Sequence, residues 1–333
     1  MKLIAVIKRN TPPVVVALFH FLRNLLKNGR LGTSAVNRFV SGFHSGIYAE
    51  CNDLPQAIDP VAHYRAHGDP AGPWSYPVFF VSTPCLRTKF CEFPVALHIH
   101  AYYTDLLQEI ISAIRYNTTV PDIFVSVATQ KDKEFVYKTF QQNSFPVREV
   151  LVVPNKGRDI GPLLTAFGRT LVENYSVIGH VHTKKTLDIA DRELIKRWRT
   201  LLIENVIGGA VAGAMMDTSL AMMYTQKNIG AVLPDDEFSL GWTQNYAIAA
   251  ELVKRIPKLC LPKHFIFPIG MYCWLRAEIL KPLVDYGFTW DDYPDEPLPY
   301  DGTVLHALER LLGVLPQHSG YTTLTTRVNG ITR

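Results

Sequence analysis

The sequence predicts a doubly wound α/β sheet. Between residues 93 and 182, four short apolar runs rich in β-branched residues alternate with segments of helical periodicity. That rhythm is the signature of parallel strands joined by helical crossovers. The 333-residue chain is 47% hydrophobic and 19% charged, an ordinary globular composition with material for one large core or two modest ones. No internal repeat interrupts the pattern.

Taken in order, V-A-L-H-I-H-A-Y-Y (95–103) reads as the first strand. Asp105 stands at the start of a helix carrying Leu106, Leu107, Ile110, Ile111 and Ile114. D-I-F-V-S-V-A-T (122–129), opened by Pro121, is the second strand, residues 131–143 the second helix, and V-R-E-V-L-V-V-P (147–154) the third strand. A loop spans 155–161. Pro162 suits an early helical position, where a missing N–H costs nothing. S-V-I-G-H-V-H (176–182) is the fourth strand. Residues 191–206 form an amphipathic helix with Leu194, Trp198, Leu201, Leu202 and Asn205 on one face. Arg192, Lys196, Arg197 and Arg199 lie largely away from it as a solvated basic face.

Two stretches precede the sheet, and they set the expected division into residues 1–92 and 93–330. In 12–30, Val14, Val15, Leu18, Phe19, Leu22, Leu25 and Leu26 fall at helical spacing, flanked by Lys8, Arg9, Arg23, Lys27 and Arg30. Such a helix either lies in a membrane interface or packs on its own domain. Residues 51–91 are rich in Pro, Gly and Cys. Within them, D-P-V-A-H-Y-R-A-H-G reads as a short helix from Asp59-Pro60 to Gly68. His63 and His67, four apart, suggest zinc, but without a third ligand nearby a packed, hydrogen-bonded pair is favoured. Five widely spaced cysteines without C-x-x-C point to reduced thiols and a cytoplasmic setting. The N-terminal apolar run is too short for a signal peptide, and no stretch reaches the roughly 18 apolar residues of a span. A net charge of +4 is too weak to imply nucleic acid as a partner.

In sheets of this kind the ligand sits beyond the carboxyl ends of the strands. Four loops, beginning at Tyr102, Thr129, Asn155 and His182, meet there. The last continues V-I-G-H-V-H-T-K-K-T (177–186), which is open to three readings: His180 and His182 as metal ligands, one of them as a base, or the cluster as a cationic grip for phosphate. N-K-G-R-D-I-G-P (155–162) places Asn155, Lys156, Gly157, Arg158 and Asp159 in a glycine-containing loop before a helix start, which suits a diphosphate. It is neither a P-loop nor G-x-G-x-x-G. E-P-L-P-Y-D-G-T (296–303) contributes Glu296 and Asp301. A cationic end and a carboxylate end at one mouth suit transfer of a group from a phosphate leaving group to a hydroxyl. The alternative reading of Asp301 is a cap for the following helix, and that of Asp159 is a cap for its own helix or a partner of Arg158. His306 reads as structural. Trp242, Trp274 and Trp290 read as core by default.

These segments resemble the rhamnan synthesis protein F family. The resemblance runs, in order, through H-I-H-A-Y-Y-T-D-L-L, N-K-G-R-D-I-G-P-L-L, H-V-H-T-K-K-T, F-P-I-G-M-Y-C-W-L-R and D-G-T-V-L-H-A-L-E-R, over about residues 93 to 320. It implies a GT-A-like fold and sugar transfer, typically of rhamnose from a nucleotide-activated donor such as dTDP-L-rhamnose. The acceptor is then a glycan or lipid-linked intermediate of O-antigen or cell-wall polysaccharide. It also implies a Gly–Arg segment, fitted here by Gly270 and Arg276, of which Arg276 helps hold the donor, and that Asp301, or else Glu296, is the base. In the GT-A plan the fourth strand ends in an Asp-x-Asp that holds a metal. Here His180-Val181-His182 stand in that place, so Lys184 and Lys185, with Lys156 and Arg158, are expected to offset the diphosphate charge without a metal. His182 is then expected to bond a phosphate oxygen or its supporting loop. The expected setting is the bacterial cytoplasm, with possible docking on the inner-membrane surface. The alternative is a non-catalytic glycan- or membrane-binding subunit.

Overall fold

The computed structural model describes residues 42–88, 93–183, 192–236 and 241–331. The expected helix at 12–30, Cys91, Lys184 and Lys185 lie outside the described residues.

One eight-stranded sheet organises the molecule. Its strands are β1 (Val78–Val81), β2 (Val95–His100), β3 (Asp122–Val127), β4 (Glu149–Val152), β5 (Val177–His182), β6 (Ile229–Pro234), β7 (Cys273–Arg276) and β8 (Thr322–Val328). Their order is β1-β8-β6-β7-β5-β2-β3-β4. All neighbours are parallel except β7, which runs against both β5 and β6. The chain leaves β2 in one direction through β3 and β4, then returns to place β5 on the other side of β2. The β2–β5 seam is therefore the point where the winding reverses, where α/β sheets open a crevice.

Both faces are covered, as the near-continuous apolar runs demand. Every residue of β2, β5 and β6 is buried. One helical layer holds α3 (Leu107–Ile114), α4 (Gln130–Gln142), α6 (Arg192–Val206) and α7 (Met215–Thr225). The other holds α5 (Gly168–Asn174), α8 (Tyr246–Val253), α9 (Ala277–Asp285) and α10 (Val304–His318). Gly179 of β5 and Trp274 of β7 face the first layer, where the fully buried indole N–H of Trp274 donates to the Val206 carbonyl at 2.7 Å. On the alternate face the sheet meets Phe167, just before α5, whose ring lies 5.2 Å from that of His98. Gly179 is the room Trp274 needs: a Cβ there would sit 2.4 Å from the indole.

Two sequence expectations shift. The predicted helix start at Asp105 is a short 3-10 turn, Thr104–Leu106, ahead of α3. The division at residue 92 also moves, because β1 pairs with β8 and so belongs to the main sheet. Ahead of it, α1 (Ser45–Cys51) and α2 (Pro60–Ala66) form a small unit around Phe43, Tyr48, Val61 and Tyr64. Asp59 caps α2 through the N–H of Val61 at 3.0 Å, as Asp-Pro predicted. His63 and His67 stack at 4.0 Å; His63 Nδ1 bonds the Tyr48 hydroxyl, and His67 Nδ1 the His63 carbonyl. The unit meets the sheet domain where Cys51 Sγ lies 3.3 Å from His264 Nε2 and where the Tyr76 hydroxyl donates to Asp235 at 2.7 Å.

Candidate functional site

The carboxyl ends of β2, β3 and β5 bring four histidines to one face. Strand register sets His98 beside His180 and His100 beside His182, with Ser126 of β3 beside His100. All five side chains are buried. Such a polar patch is tolerated only if it is hydrogen-bonded. His98 Nδ1 lies 2.9 Å from His180 Nδ1, and its Nε2 3.0 Å from Ser126 Oγ. His100 Nδ1 lies 2.9 Å from the same hydroxyl. His182 Nε2 donates to the Gly270 carbonyl at 2.8 Å, while the Tyr272 hydroxyl donates to the His182 carbonyl. Gly270 has φ +60°, a left-handed conformation that suits glycine.

Asp159 lowers a carboxylate onto this patch, its Oδ2 3.2 Å from His180 Nε2. Burial alone would raise its pKa. The opposing influence of His182, the His180 hydrogen bond and the remaining imidazoles hold it well below the carboxylate range. Burial foremost, then the neighbouring imidazoles, drives His98 far below its ordinary value. The same desolvation pushes His100 down to about 3. Both are neutral at pH 7.

The loop carrying Asp159 differs from the anion cradle expected of its glycines. The Gly161 N–H is given to the Gly157 carbonyl at 2.7 Å, so it is not offered to a ligand. Gly161 lies under Trp290 and Tyr293, and a Cβ would stand 2.9 Å from the Lys156 carbonyl and 3.2 Å from each ring. The two glycines thus serve close packing. Pro162 opens a π-helical turn, Pro162–Ala166, rather than a regular helix. The cations do reach the mouth. Lys156 Nζ pairs with Asp295 at 3.0 Å and Arg158 Nε with Glu296 at 3.3 Å. Arg158 holds φ +48° to do so. Asn155 is exposed beside them.

Asp301 also lies on this side, because α10 leads back to the start of β8 and must begin at the strands' carboxyl ends. It does not cap α10; Thr303 is the N-cap residue. Its Oδ2 accepts from the Thr243 hydroxyl at 2.5 Å and its Oδ1 from Asn245 Nδ2 at 2.7 Å, with an Arg310 guanidinium nitrogen 3.6 Å away. Burial works to raise its pKa, and these donors outweigh that to keep it below the ordinary value. Glu296 accepts from Arg158 and, through Oε2, from the Leu298 N–H at 2.9 Å.

Arg276 is the one expected site residue the structure removes. It pairs with Val177, the first residue of β5, so it stands at the opposite, amino-terminal end of the parallel strands. There its guanidinium donates to the carbonyls of Ile229 and Met223 at 2.8 and 2.6 Å. Its partner in the expected motif, Gly270, does reach the mouth, because β7 runs in reverse and only its leading end lies there. Residues that the sequence reading passed over are His98, His100 and Ser126. The signal was present: V-A-L-H-I-H repeats the His-x-His alternation of G-H-V-H at the end of a neighbouring strand.

The His-x-His pair does not fit the metal of an Asp-x-Asp site. Magnesium and manganese in phosphate sites favour oxygen ligands. Both ring nitrogens of His180 are engaged, by His98 and Asp159, and His182 Nε2 is engaged by Gly270. Among the described residues no group of three or more His, Cys, Asp and Glu side chains is arranged to hold a metal ion.

Two proteins of Xanthomonas campestris pv. campestris named WxcX are similar, one 30% identical over 255 residues and the other, from strain B100, 29% identical over 257. The match covers 75% of this chain and 35% of theirs, so the chain spans about a third of the length of these relatives. Among solved structures, residues 1–349 of S. aureus TarS align at a TM-score of 0.38 with 8% identity, over 71% of this chain and 58% of that one. Mouse xyloside xylosyltransferase 1 aligns at 0.28 with 10% identity, over 71% and 84%. The rhamnan synthesis protein F model matches residues 81–321, from β1 to the residue before β8. The chain belongs to the rhamnan synthesis protein F family.

Proposed function

We propose that this chain is a GT-A-like glycosyltransferase of polysaccharide synthesis, which moves a sugar from a nucleotide-diphosphate donor to a hydroxyl of a growing glycan. Family membership supports the setting. The observation that carries the reading is the meeting, at the carboxyl ends of parallel strands, of the cationic loop bearing Lys156 and Arg158 with the carboxylate loop bearing Glu296 and Asp301. A diphosphate leaving group builds negative charge as it departs, and fixed cations offset it. Lys156 and Arg158 do so in this reading, joined by Lys184 and Lys185 of the following loop. A base must be ionised to take the acceptor proton. Asp301 meets that need, since its donors keep it deprotonated. Glu296, bonded to Arg158, is the less available carboxylate.

His182 steadies the Gly270 loop rather than holding a metal, and transfer is metal-independent. The sugar is L-rhamnose or a related deoxyhexose from a dTDP-L-rhamnose-like donor, and the acceptor is lipid-linked at the cytoplasmic face of the inner membrane. No helix among the described residues is long and apolar enough to cross a membrane.

The test is a thermal-shift screen of nucleotide-sugars, followed by turnover assays after exhaustive EDTA treatment with and without magnesium or manganese. A donor at 100 times its Kd adds about 2.7 kcal/mol of stability. Turnover that survives EDTA supports the reading. Activity that returns only with metal removes its metal-free part. An absence of both saturable nucleotide binding and donor hydrolysis would favour a non-catalytic glycan-binding subunit.

A further inference from the structure

The buried histidines are more than a patch. They form one unbranched chain of hydrogen bonds across three strands: Asp159 to His180 at 3.2 Å, His180 to His98 at 2.9 Å, His98 to Ser126 at 3.0 Å, and Ser126 to His100 at 2.9 Å. Each link joins two atoms that each need the other to be opposite in kind, so fixing one end fixes all.

The carboxylate of Asp159 can only accept, so His180 Nε2 carries a proton. The relay takes His180 in its neutral form as the resting state; its Nδ1 then accepts, and His98 must donate from its own Nδ1. A neutral His98 has an accepting Nε2, which takes the Ser126 hydroxyl proton. The Ser126 oxygen is then left to accept, and His100 donates to it from Nδ1. What remains at the far end is His100 Nε2 with a lone pair. That atom belongs to the last residue of β2 and, among the described residues, has no hydrogen-bond partner. The half-exposed ring of Tyr102 lies beside it, 6.3 Å between centroids. Burial keeps His98 and His100 neutral, and the neutral resting state of His180 is part of the proposal.

We propose that Asp159, His180, His98, Ser126 and His100 form a single-file proton relay that presents His100 Nε2 as a hydrogen-bond acceptor at the mouth, where it receives an O–H or N–H of the bound ligand. His98, His180 and Ser126 are positioning residues, and His100 is the specificity-determining one. The assignment favours ligands with a donor at this point and disfavours those presenting only a lone pair, since two acceptors face to face leave both unsatisfied. The relay also runs in reverse. A proton taken up at His100 Nε2 sends the Nδ1 proton to Ser126 Oγ, the hydroxyl proton to His98 Nε2, and the His98 Nδ1 proton to His180. The charge then rests on His180 beside the Asp159 carboxylate, and no bond other than N–H and O–H changes. The relay stands on the hydrogen-bond distances and on neutral imidazoles; its ligand rests on the donor reading above.

The test is nitrogen-15 NMR of imidazole-labelled full chain at pH 7.5. The relay requires Nε2–H on His180 and Nδ1–H on both His98 and His100. Ser126→Ala should leave His180 and His98 unchanged and return His100 to the Nε2–H form that free imidazole side chains favour. Ser126→Thr, which keeps the hydroxyl, should retain the wild-type pattern. His100 found as Nε2–H in the wild type, or unmoved by Ser126→Ala, overturns the relay. Titration with uridine and thymidine diphosphates, whose bases and sugars carry N–H and O–H donors, tests the ligand half. Ser126→Ala should bind them about 3- to 10-fold more weakly, the loss of roughly one hydrogen bond. Equal binding by both proteins overturns that half. Wild type that binds neither nucleotide, with the tautomers as required, upholds the relay and sinks the donor reading.

Discussion

Asp301 is held by the Thr243 and Asn245 donors with the Arg310 guanidinium beside it, and in the proposed reading it is the residue on which transfer should turn. Exchanging it for Asn removes the negative charge and keeps the size. If Asp301 is the base, Asp301→Asn should lower the transfer rate by about 10²–10⁴-fold while nucleotide affinity holds. Full activity in that variant would take Asp301 out of the mechanism. The buried imidazoles make a separate claim on stability. His98 and His100 have folded pKa values below the ordinary 6.5, so the unfolded chain binds more protons below that pH. Stability must therefore fall as the pH drops through 6.5 towards about 3 for His100, by up to about 1.4 kcal/mol per pH unit for each group. Asp159 and Asp301, with depressed carboxylate values, extend the loss at more acid pH. Urea denaturation between pH 7.5 and 5 checks this: His100→Gln should have a slope shallower by about one proton, and a parallel slope would show His100 already charged in the fold. At this scale the sequence disclosed residue types and not pairings. Lys156 and Arg158 read as free cations, but their carboxylates stand about 140 positions away, and only the fold brings them together.

Among the elements, β5 shows how one short run serves two faces. Its histidines point to the mouth side, and Gly179 between them makes way for Trp274 on the other. Gly179→Ala would press a methyl into a fully buried indole pinned to Val206. Overpacking of that kind should cost about 1–3 kcal/mol, read as a lower urea midpoint with unchanged slope. No loss of stability would mean that Trp274 has space to move. The four strands from 95 to 182 were legible because their apolar runs and the helices between them repeat a strong local pattern. The direction of β7 was not: C-W-L-R has the same composition in either direction, and reversal is set by where the chain arrives. That is why Gly270 of the expected pair reached the mouth and Arg276 did not. The glycines of N-K-G-R-D-I-G misled for a related reason. A glycine required by a crowding neighbour looks the same in sequence as one required by a ligand, and here Trp290 and Tyr293 are the neighbours.

For the molecule as a whole, the α/β class and the winding of its first half followed from the sequence, while the sheet's far edge did not. β1 is a four-residue strand in a stretch rich in proline and glycine, and nothing local announces a partner near the other end of the chain. The segment 12–30 poses its own question at this scale. If its basic amphipathic pattern docks the protein on anionic lipid, deleting residues 1–30 should abolish co-flotation with vesicles containing such lipid. Equal flotation of the two forms would sink the idea.

The pairing of β1 with β8 also governs how the protein can be made. Val78 has its place beside Thr325, so on the ribosome it emerges roughly 250 residues ahead of its partner. At about 5–20 residues per second, that is a wait of some 12 to 50 s. Throughout that interval the strand, with Phe79 and Val81 destined for the interior, has no ladder to join. β6 waits too, since its free edge is covered only when β8 arrives. β8 thus closes two edges at once, and the nascent sheet is most vulnerable to mispairing just before that strand emerges.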